Sequence, residues 1–133
     1  MTIHKPHKKR GKLIVEDGIK KKMKKDTIYI DNSGDITIGK NVIFTKNVNI
    51  LTHEHYHKRN STIKEQTEKK GVKISNLIVE DDVYFGINCV ITESVTHIPK
   101  GTIIAAGAVL TKNPINEYEI WGGVPARKIG ERK

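Results

Sequence analysis

A six-residue rhythm is the feature of this 133-residue chain that most restricts its fold. It occupies two stretches, residues 36–53 (ITIGKN-VIFTKN-VNILTH) and residues 77–112 (LIVEDD-VYFGIN-CVITES-VTHIPK-GTIIAA-GAVLTK). The first and third residues of each block are apolar, apart from His97, Gly101 and Gly107. Apolar residues recur about every 3.6 positions in a helix and every 2 in a strand, so a period of six fits neither. It predicts short strands separated by turns, each adding one face to a prism with a dry interior.

Length and composition predict one soluble domain with a modest core. We expect no membrane span, because no run of about 18 apolar residues occurs, and no signal peptide, because the N-terminus lacks a long apolar region. The single cysteine, Cys89, excludes an internal disulfide framework, and its position in the rhythm predicts a buried, apolar thiol. These features favour a cytoplasmic protein.

The net charge of +9 is concentrated in the first 25 residues. We expect residues 1–12 to form a disordered basic arm and residues 13–133 to form the single domain. A basic run of this kind can bind nucleic acid or an acidic membrane. No aromatic residue is interleaved with it and no nucleic-acid-binding motif accompanies it, so we expect no nucleic-acid partner.

Two segments depart from the rhythm. Residues 54–76 are long, polar and charged, and they begin inside a histidine-rich sequence, THEHYH. A long excursion of this kind inside a regular repeat is typical of functional loops. The rhythm stops again at Asn113-Pro114, because proline cannot donate a strand hydrogen bond, and a tail at residues 113–133 contains GGVPARKIG.

The hexapeptide blocks, the histidine-rich loop and GGVPARKIG together resemble the hexapeptide-repeat acyltransferases over about residues 26–131. The resemblance is greatest to sugar O-acetyltransferases of the maltose, galactoside and colanic-acid type. It implies an all-β, left-handed parallel β-helix with one long inserted loop and a C-terminal tail. It also implies a homotrimer with active sites between subunits, and acetyl transfer from acetyl-CoA to a hydroxyl of a sugar or glycan precursor, with no metal required.

Acetyl transfer to a hydroxyl needs a base, and histidine titrates in the appropriate range. The candidates are His53, His55 and His57. In the resembled enzymes the catalytic histidine follows the last inward aliphatic residue of its coil by five positions. An ungapped match from Ile50 therefore indicates His55, whereas a two-residue gap would indicate His53. Glu54 lies between them and could orient an imidazole.

The resemblance also assigns binding residues. Coenzyme contacts fall on the backbone of Ala106 and Thr111, on Lys112 near the phosphates and on Arg127 at the nucleotide end, with Lys128 adding positive charge. Acceptor contacts are expected from His57 and Arg59 in the loop and from Tyr84, which stands where the family usually has tryptophan.

Other functions remain open at this point. N-acetylation of an amino sugar is the first alternative, and a non-catalytic trimeric scaffold or binding protein is the second. A zinc enzyme of the γ-carbonic anhydrase kind would need three histidines from neighbouring faces. Here three histidines lie on one loop, and His97 occupies a third position, which predicts an inward, structural side chain.

Overall fold

The computed structural model describes residues 2–4, 11–16 and 28–133. These residues form sixteen strands and one helix. In chain order the elements are β1 (Thr2–His4), β2 (Leu13–Val15), β3 (Ile28–Asp31), β4 (Ile36–Ile38), β5 (Ile43–Phe44), β6 (Val48–Ile50), β7 (His53–His55), α1 (Ile63–Lys70), β8 (Val72–Ile74), β9 (Leu77–Val79), β10 (Tyr84–Phe85), β11 (Val90–Ile91), β12 (His97–Ile98), β13 (Ile103–Ile104), β14 (Val109–Leu110), β15 (Glu119–Gly123) and β16 (Ala126–Glu131).

Three sheets form the faces of a prism. Face A has the strand order β1-β3-β6-β11-β14, face B has β12-β9-β4-β2, and face C has β16-β15-β13-β10-β5. All pairs on these faces are parallel except the terminal pair β15–β16. The chain visits faces B, C and A in turn through β4–β6, then β9–β11, then β12–β14, which makes three complete coils. The predicted stack of short parallel strands is confirmed.

The core is a column of apolar side chains inside the prism. On face A the strand register places Ile30 beside Ile50, Ile50 beside Ile91, and Ile91 beside Leu110. All four are fully buried. Because each inward residue packs on its equivalents in neighbouring coils, the sequence period of six becomes a continuous apolar column. Cys89 is buried in this column, as expected.

The rhythm changes register by one residue in the third coil. After Val95 the residues that continue the inward column are Ile98, Thr102, Ile104, Ala108 and Leu110, all of them buried. The prediction that His97 points into the prism is therefore wrong. Its side chain is 45% exposed on face B, and its Nε2 lies 2.5 Å from Glu80 Oε2.

A two-stranded antiparallel ribbon, β7–β8, and helix α1 lie between β6 and β9. We call residues 54–76 the insertion. Thr62 caps α1 by accepting a hydrogen bond from the Glu65 N–H, and Gly71 ends it at φ 75°, a conformation that favours glycine.

The C-terminal strands form a hairpin on face C, in which β15 pairs in parallel with β13 and antiparallel with β16. Glu119 is 2% exposed and accepts hydrogen bonds from the N–H groups of Ile115 and Asn116 and from the Trp121 indole. Burial alone would raise the pKa of Glu119, but these bonds and Lys128 lower it to about 2. The ionised Glu119 carboxylate therefore links the hairpin by hydrogen bonds to the loop that precedes β15.

At the N-terminal end, β1 pairs in parallel with β3 on face A. For these three residues the structure differs from the expected disordered arm, and the rest of the basic run, residues 5–10 and 17–27, lies outside the described residues.

No helix in the part of the chain that the structure describes is long and apolar enough to cross a membrane.

Candidate active site

A histidine and a buried carboxylate meet where the chain leaves face A. Asp31 is the last residue of β3, and His53 follows β6 by three residues. Because β3 and β6 are parallel neighbours, their carboxyl ends bring the two residues to one corner of the prism. His53 Nδ1 contacts Asp31 Oδ2. The Asp31 side chain is 0% exposed and that of His53 is 23% exposed, so the ring is held from the buried side and still reaches the surface.

Hydrogen bonds fix the Asp31 carboxylate and its backbone. The Ser33 hydroxyl donates to Oδ1 (2.7 Å), and the Thr52 N–H donates to Oδ2 (3.0 Å). The Thr52 hydroxyl donates to the Asp31 carbonyl (2.6 Å), and the Gly34 N–H donates to that same hydroxyl oxygen (2.9 Å). Both carboxylate oxygens therefore have donors from the protein, which leaves the side chain little freedom to rotate.

The same contacts set the charge of Asp31. Burial by itself would raise the pKa of this carboxyl, but hydrogen bonds from Ser33, Thr52 and His53 outweigh burial and hold the pKa below its ordinary value. Asp31 is therefore ionised at neutral pH. An ionised partner at Nδ1 favours the tautomer with the proton on Nδ1, which makes Nε2 the basic nitrogen of His53.

The other loop histidines have weaker anchors. His55 is exposed, and its Nδ1 lies 2.9 Å from the Thr67 hydroxyl on α1. His57 Nε2 lies 2.9 Å from Glu54 Oε1 on the exposed surface. Glu54 thus contacts His57 and not either candidate base. This geometry favours His53 over the His55 assignment that the ungapped sequence match indicates.

Asp31 is the functional candidate that sequence reasoning missed. The available signal was the alternation Ile28-Tyr29-Ile30, which ends at Asp31 before a turn cluster. Aligning Ile28 and Ile30 with Val48 and Ile50, as the strands are paired, places Asp31 beside the start of the histidine loop.

The residues proposed for the coenzyme lie at two corners and on the C-terminal hairpin. Thr111 and Lys112 directly follow β14, so they share the corner of His53 but lie two strands away, about 10 Å along the prism. Ala106 is exposed in the turn between β13 and β14, at the opposite edge of face A. Lys112 Nζ lies 5.8 Å from the centre of the Trp121 ring.

The two cations of the hairpin differ in their contacts. Arg127 is exposed beside the turn of the hairpin. Lys128 Nζ lies 2.6 Å from Glu131 Oε1 and 3.2 Å from Glu119 Oε2. Since two carboxylates already neutralise it, Lys128 adds little charge for a phosphate, and its main contribution is to the hairpin.

The expected acceptor residues are divided between two places. Arg59 is exposed in the insertion, next to the histidine cluster in sequence. Tyr84 is exposed on face C, where it is aligned with Ile43 and Ile103. Within one chain Tyr84 is therefore on a different face from the corner that holds His53.

The histidines do not converge on a metal position. His57 contacts Glu54 and His97 contacts Glu80, while His53 and His55 pack edge to face with ring centres 5.5 Å apart. Among the residues described here, no group of three or more histidine, cysteine or acidic side chains is arranged to hold a metal ion.

Comparison with known proteins gives relatives of one kind. No protein-family model matches the chain. It is 37% identical over 98 residues to the "Putative acetyltransferase C18B11.09c" of Schizosaccharomyces pombe, covering 71% of this chain and 42% of that protein. It is 44% identical over 55 residues to 2,3,4,5-tetrahydropyridine-2,6-dicarboxylate N-acetyltransferase of Staphylococcus aureus, covering 41% and 22% respectively. The chain thus spans less than half the length of these curated relatives.

Solved structures agree with the sequence relatives. A maltose O-acetyltransferase from Clostridium difficile 630 superposes with a TM-score of 0.68 at 28% identity, over 80% of this chain and 53% of that one. A galactoside acetyltransferase in complex with coenzyme A gives 0.68 at 27% identity, over 78% and 48%. The hexapeptide-repeat containing acetyltransferase VCA0836 from Vibrio cholerae shares the fold, with a TM-score of 0.70 at 24% identity. The resemblance of this chain to the hexapeptide-repeat acetyltransferases is confirmed: the solved structures share its fold, and its sequence relatives are acetyltransferases.

Proposed function

We propose that this protein transfers an acetyl group from acetyl-CoA to a hydroxyl of a sugar or glycan precursor, with His53 as the general base. The observation that carries the proposal is the contact of His53 Nδ1 with the buried, ionised Asp31. The expected scaffold is a left-handed parallel β-helix in which the insertion and the C-terminal tail both border the site.

The chemistry follows from the placement of the two side chains. His53 Nε2 takes the proton of the acceptor hydroxyl as its oxygen attacks the thioester carbonyl carbon. The resulting imidazolium lies against the Asp31 carboxylate, which stabilises the positive charge. Collapse of the tetrahedral intermediate breaks the carbon–sulfur bond, and the imidazolium returns the proton to the departing thiolate. Asp31 is thus a positioning residue that acts through His53.

For the donor, we propose that acetyl-CoA lies along the corner shared by His53 and Thr111. The neighbour solved with coenzyme A supports a coenzyme site on this fold. Lys112 and the exposed Arg127 are the cations we assign to the phosphates. The turn at Ala106 lies at the opposite edge of face A, so we assign its backbone to the coenzyme site of a neighbouring subunit. Lys128 is omitted from this set because it is bonded to Glu119 and Glu131.

A homotrimer would complete the site. A prism of three coils buries a modest core, and Tyr84 and Ile43, the latter 56% exposed, align on face C. If face C of one subunit lies beside the histidine corner of the next, Tyr84 becomes a wall of the acceptor site that one chain alone does not provide.

N-acetylation of an amino sugar is the second candidate. It is favoured by the Staphylococcus aureus relative, named as an N-acetyltransferase. A structural neighbour, AntD from Bacillus cereus, is described as an N-acyltransferase in complex with dTDP-4-amino-4,6-dideoxyglucose and coenzyme A. Matched acceptors that differ only in a hydroxyl or an amine at one carbon distinguish the two reactions.

The first test is the melting temperature with and without coenzyme A and acetyl-CoA. A ligand that binds only the folded state at 100 times its Kd adds about 2.7 kcal/mol to the free energy of unfolding. We expect a clear rise with both ligands. No rise at millimolar concentration would contradict the proposed acetyl donor.

The second test compares His53→Ala with His55→Ala. Loss of a general base lowers kcat by about 100-fold or more, so we expect that loss for His53→Ala with the KM for acetyl-CoA nearly unchanged. His55→Ala serves as the matched control and should change kcat by only a few-fold. The reverse ranking would move the role of base to His55, as the ungapped sequence match indicates.

A further inference from the structure

The insertion carries an excess of positive charge. Its six cations outnumber its three carboxylates, which gives a net charge of +3 with histidines neutral. The cations are Lys58, Arg59, Lys64, Lys69, Lys70 and Lys73. Within the described residues none of these six forms a salt bridge, whereas Lys128 and Arg132 of the C-terminal segment do. Among the described residues, the positive charge of the insertion is therefore left without a compensating carboxylate.

A buried amide fixes the loop that bears two of these cations. Gln66 on α1 is 6% exposed, and its Nε2 donates to the carbonyls of Lys58 (2.7 Å) and Ser61 (2.9 Å). Its Oε1 accepts from the Lys58 N–H (3.2 Å). Both backbone groups of Lys58 are thus bound by one side chain. The exposed side chains of Lys58 and Arg59 therefore extend from an ordered backbone, which lowers the entropic cost of binding a ligand there.

Two more cations are held against an aromatic ring. Lys70 Nζ lies 5.5 Å and Lys73 Nζ 5.2 Å from the centre of the Tyr56 ring. Cation–π contacts fix the position of an ammonium group without neutralising it, so both keep their charge available to an anion.

A series of contacts connects the charged insertion to the candidate base. β7 begins at His53, and the next histidine, His55, contacts the Thr67 hydroxyl on α1 at 2.9 Å. Thr67 adjoins Gln66, the residue that binds the Lys58 backbone. One short path of contacts therefore runs from the reacting imidazole to the uncompensated cations.

We propose that the acceptor is anionic, a sugar that carries a carboxylate or a phosphate, and that Lys58 and Arg59 on the Gln66-anchored loop bind this group. Lys70 and Lys73 add to the local positive potential. Arg59 can bind either anion through two parallel hydrogen bonds, and Lys58 acts as a point charge beside it. This inference rests on the proposed function, because it specifies the substrate of the same site.

The test measures equilibrium binding by saturation-transfer NMR, without acetyl-CoA and without turnover. Galacturonate is compared with galactose, and glucose 6-phosphate with glucose, so that each pair differs only in the anionic group and the two pairs separate carboxylate from phosphate. We expect at least one anion to bind about tenfold more tightly than its neutral counterpart, and we expect this preference to decrease as salt is added.

The test variant is the double substitution Lys58→Gln with Arg59→Gln, and the control is the double substitution Lys40→Gln with Lys100→Gln. Both double variants remove two positive charges, but the two lysines of the control are exposed on the coils, outside the insertion. Only the first double should lose the tenfold preference. Equal binding of charged and neutral sugars, no binding of either anion, or an equal loss in both doubles would overturn the inference. If acetyl-CoA does not raise the melting temperature but the preference for the anion is present, the result counts against the proposed reaction and not against this inference.

Discussion

Replacing Asp31 with asparagine tests the link between the buried carboxylate and the base. The substitution keeps the shape of the side chain and removes its charge. If the new amide nitrogen faces Ser33, the hydroxyl can accept a hydrogen bond where it formerly donated one. The remaining oxygen can still accept from the Thr52 N–H and from His53 Nδ1. We therefore expect the variant to fold, with a loss of unfolding free energy of about 1–2 kcal/mol.

The effect on kcat follows from the charge that develops on His53. Opposite charges about 4 Å apart interact by about 4 kcal/mol at an effective dielectric constant of about 20. In the variant, a hydrogen bond from His53 Nδ1 to the neutral amide oxygen keeps about 1 kcal/mol of this stabilisation. The net loss of about 3 kcal/mol corresponds to a decrease in kcat of about 100-fold or more. The KM for acetyl-CoA should stay within a few-fold, because the Asp31 side chain is fully buried and so does not contact the coenzyme.

The assay follows the thiol released from acetyl-CoA with an aromatic disulfide reagent. Burial raises the pKa of the protein's own thiol, Cys89, to about 12, so the folded protein should contribute no background. The control is the double variant Asp31→Asn with His53→Ala, which should be no slower than His53→Ala alone if Asp31 acts through His53. A folded Asp31→Asn variant that keeps a third or more of the wild-type kcat, or losses that multiply in the double variant, would refute the reasoning.

Three further predictions concern the C-terminal hairpin and the coil packing. Glu119→Gln should lower the free energy of unfolding by about 2–3 kcal/mol at neutral pH. Because the folded pKa of Glu119 is about 2, against an ordinary value of 4.5, this contribution is present above about pH 4.5 and is lost as the pH falls towards 2. Urea unfolding at several pH values measures it. An equal loss of unfolding free energy at pH 2 and pH 7 would contradict the prediction. Arg127→Ala should raise the KM for acetyl-CoA with little change in kcat, whereas Lys128→Met should mainly lower the melting temperature. Steady-state kinetics and thermal unfolding measure the two effects, and a raised KM in Lys128→Met with a lowered melting temperature in Arg127→Ala would contradict both assignments. Gly86→Ala should cost several kcal/mol in urea unfolding, since a Cβ there would lie 2.5 Å from the Ala106 backbone nitrogen; a stability within about 0.5 kcal/mol of wild type would show that the coils can separate locally.

The fold was predictable because one physical requirement determines it. Each inward residue must pack on its equivalents in the coils on either side, so the period of six is visible in the sequence alone. The register of the third coil differs from the prediction, although the sequence contains the signal for it. His97, Gly101 and Gly107, the three exceptions to the rhythm, are the positions that a one-residue shift removes from the inward column, although Gly101 stays buried next to the Tyr118 ring. Moving the frame by one after Val95 places Ile98, Thr102 and Ala108 inside.

The choice between His53 and His55 was not accessible to the same reasoning. A repeat pattern constrains inward residues, but the insertion leaves the prism at this point, so the pattern places no constraint on which histidine faces the corner. What distinguishes the two is a partner 22 residues upstream, and Asp31 becomes a neighbour of His53 only once β3 pairs with β6. The carboxylate stays ionised because Ser33 and Thr52 donate to it, which is again a property of the packed corner. Assigning a base on a loop of this kind therefore depends on finding the buried group that holds it, and that group is specified by strand pairing and not by spacing along the chain.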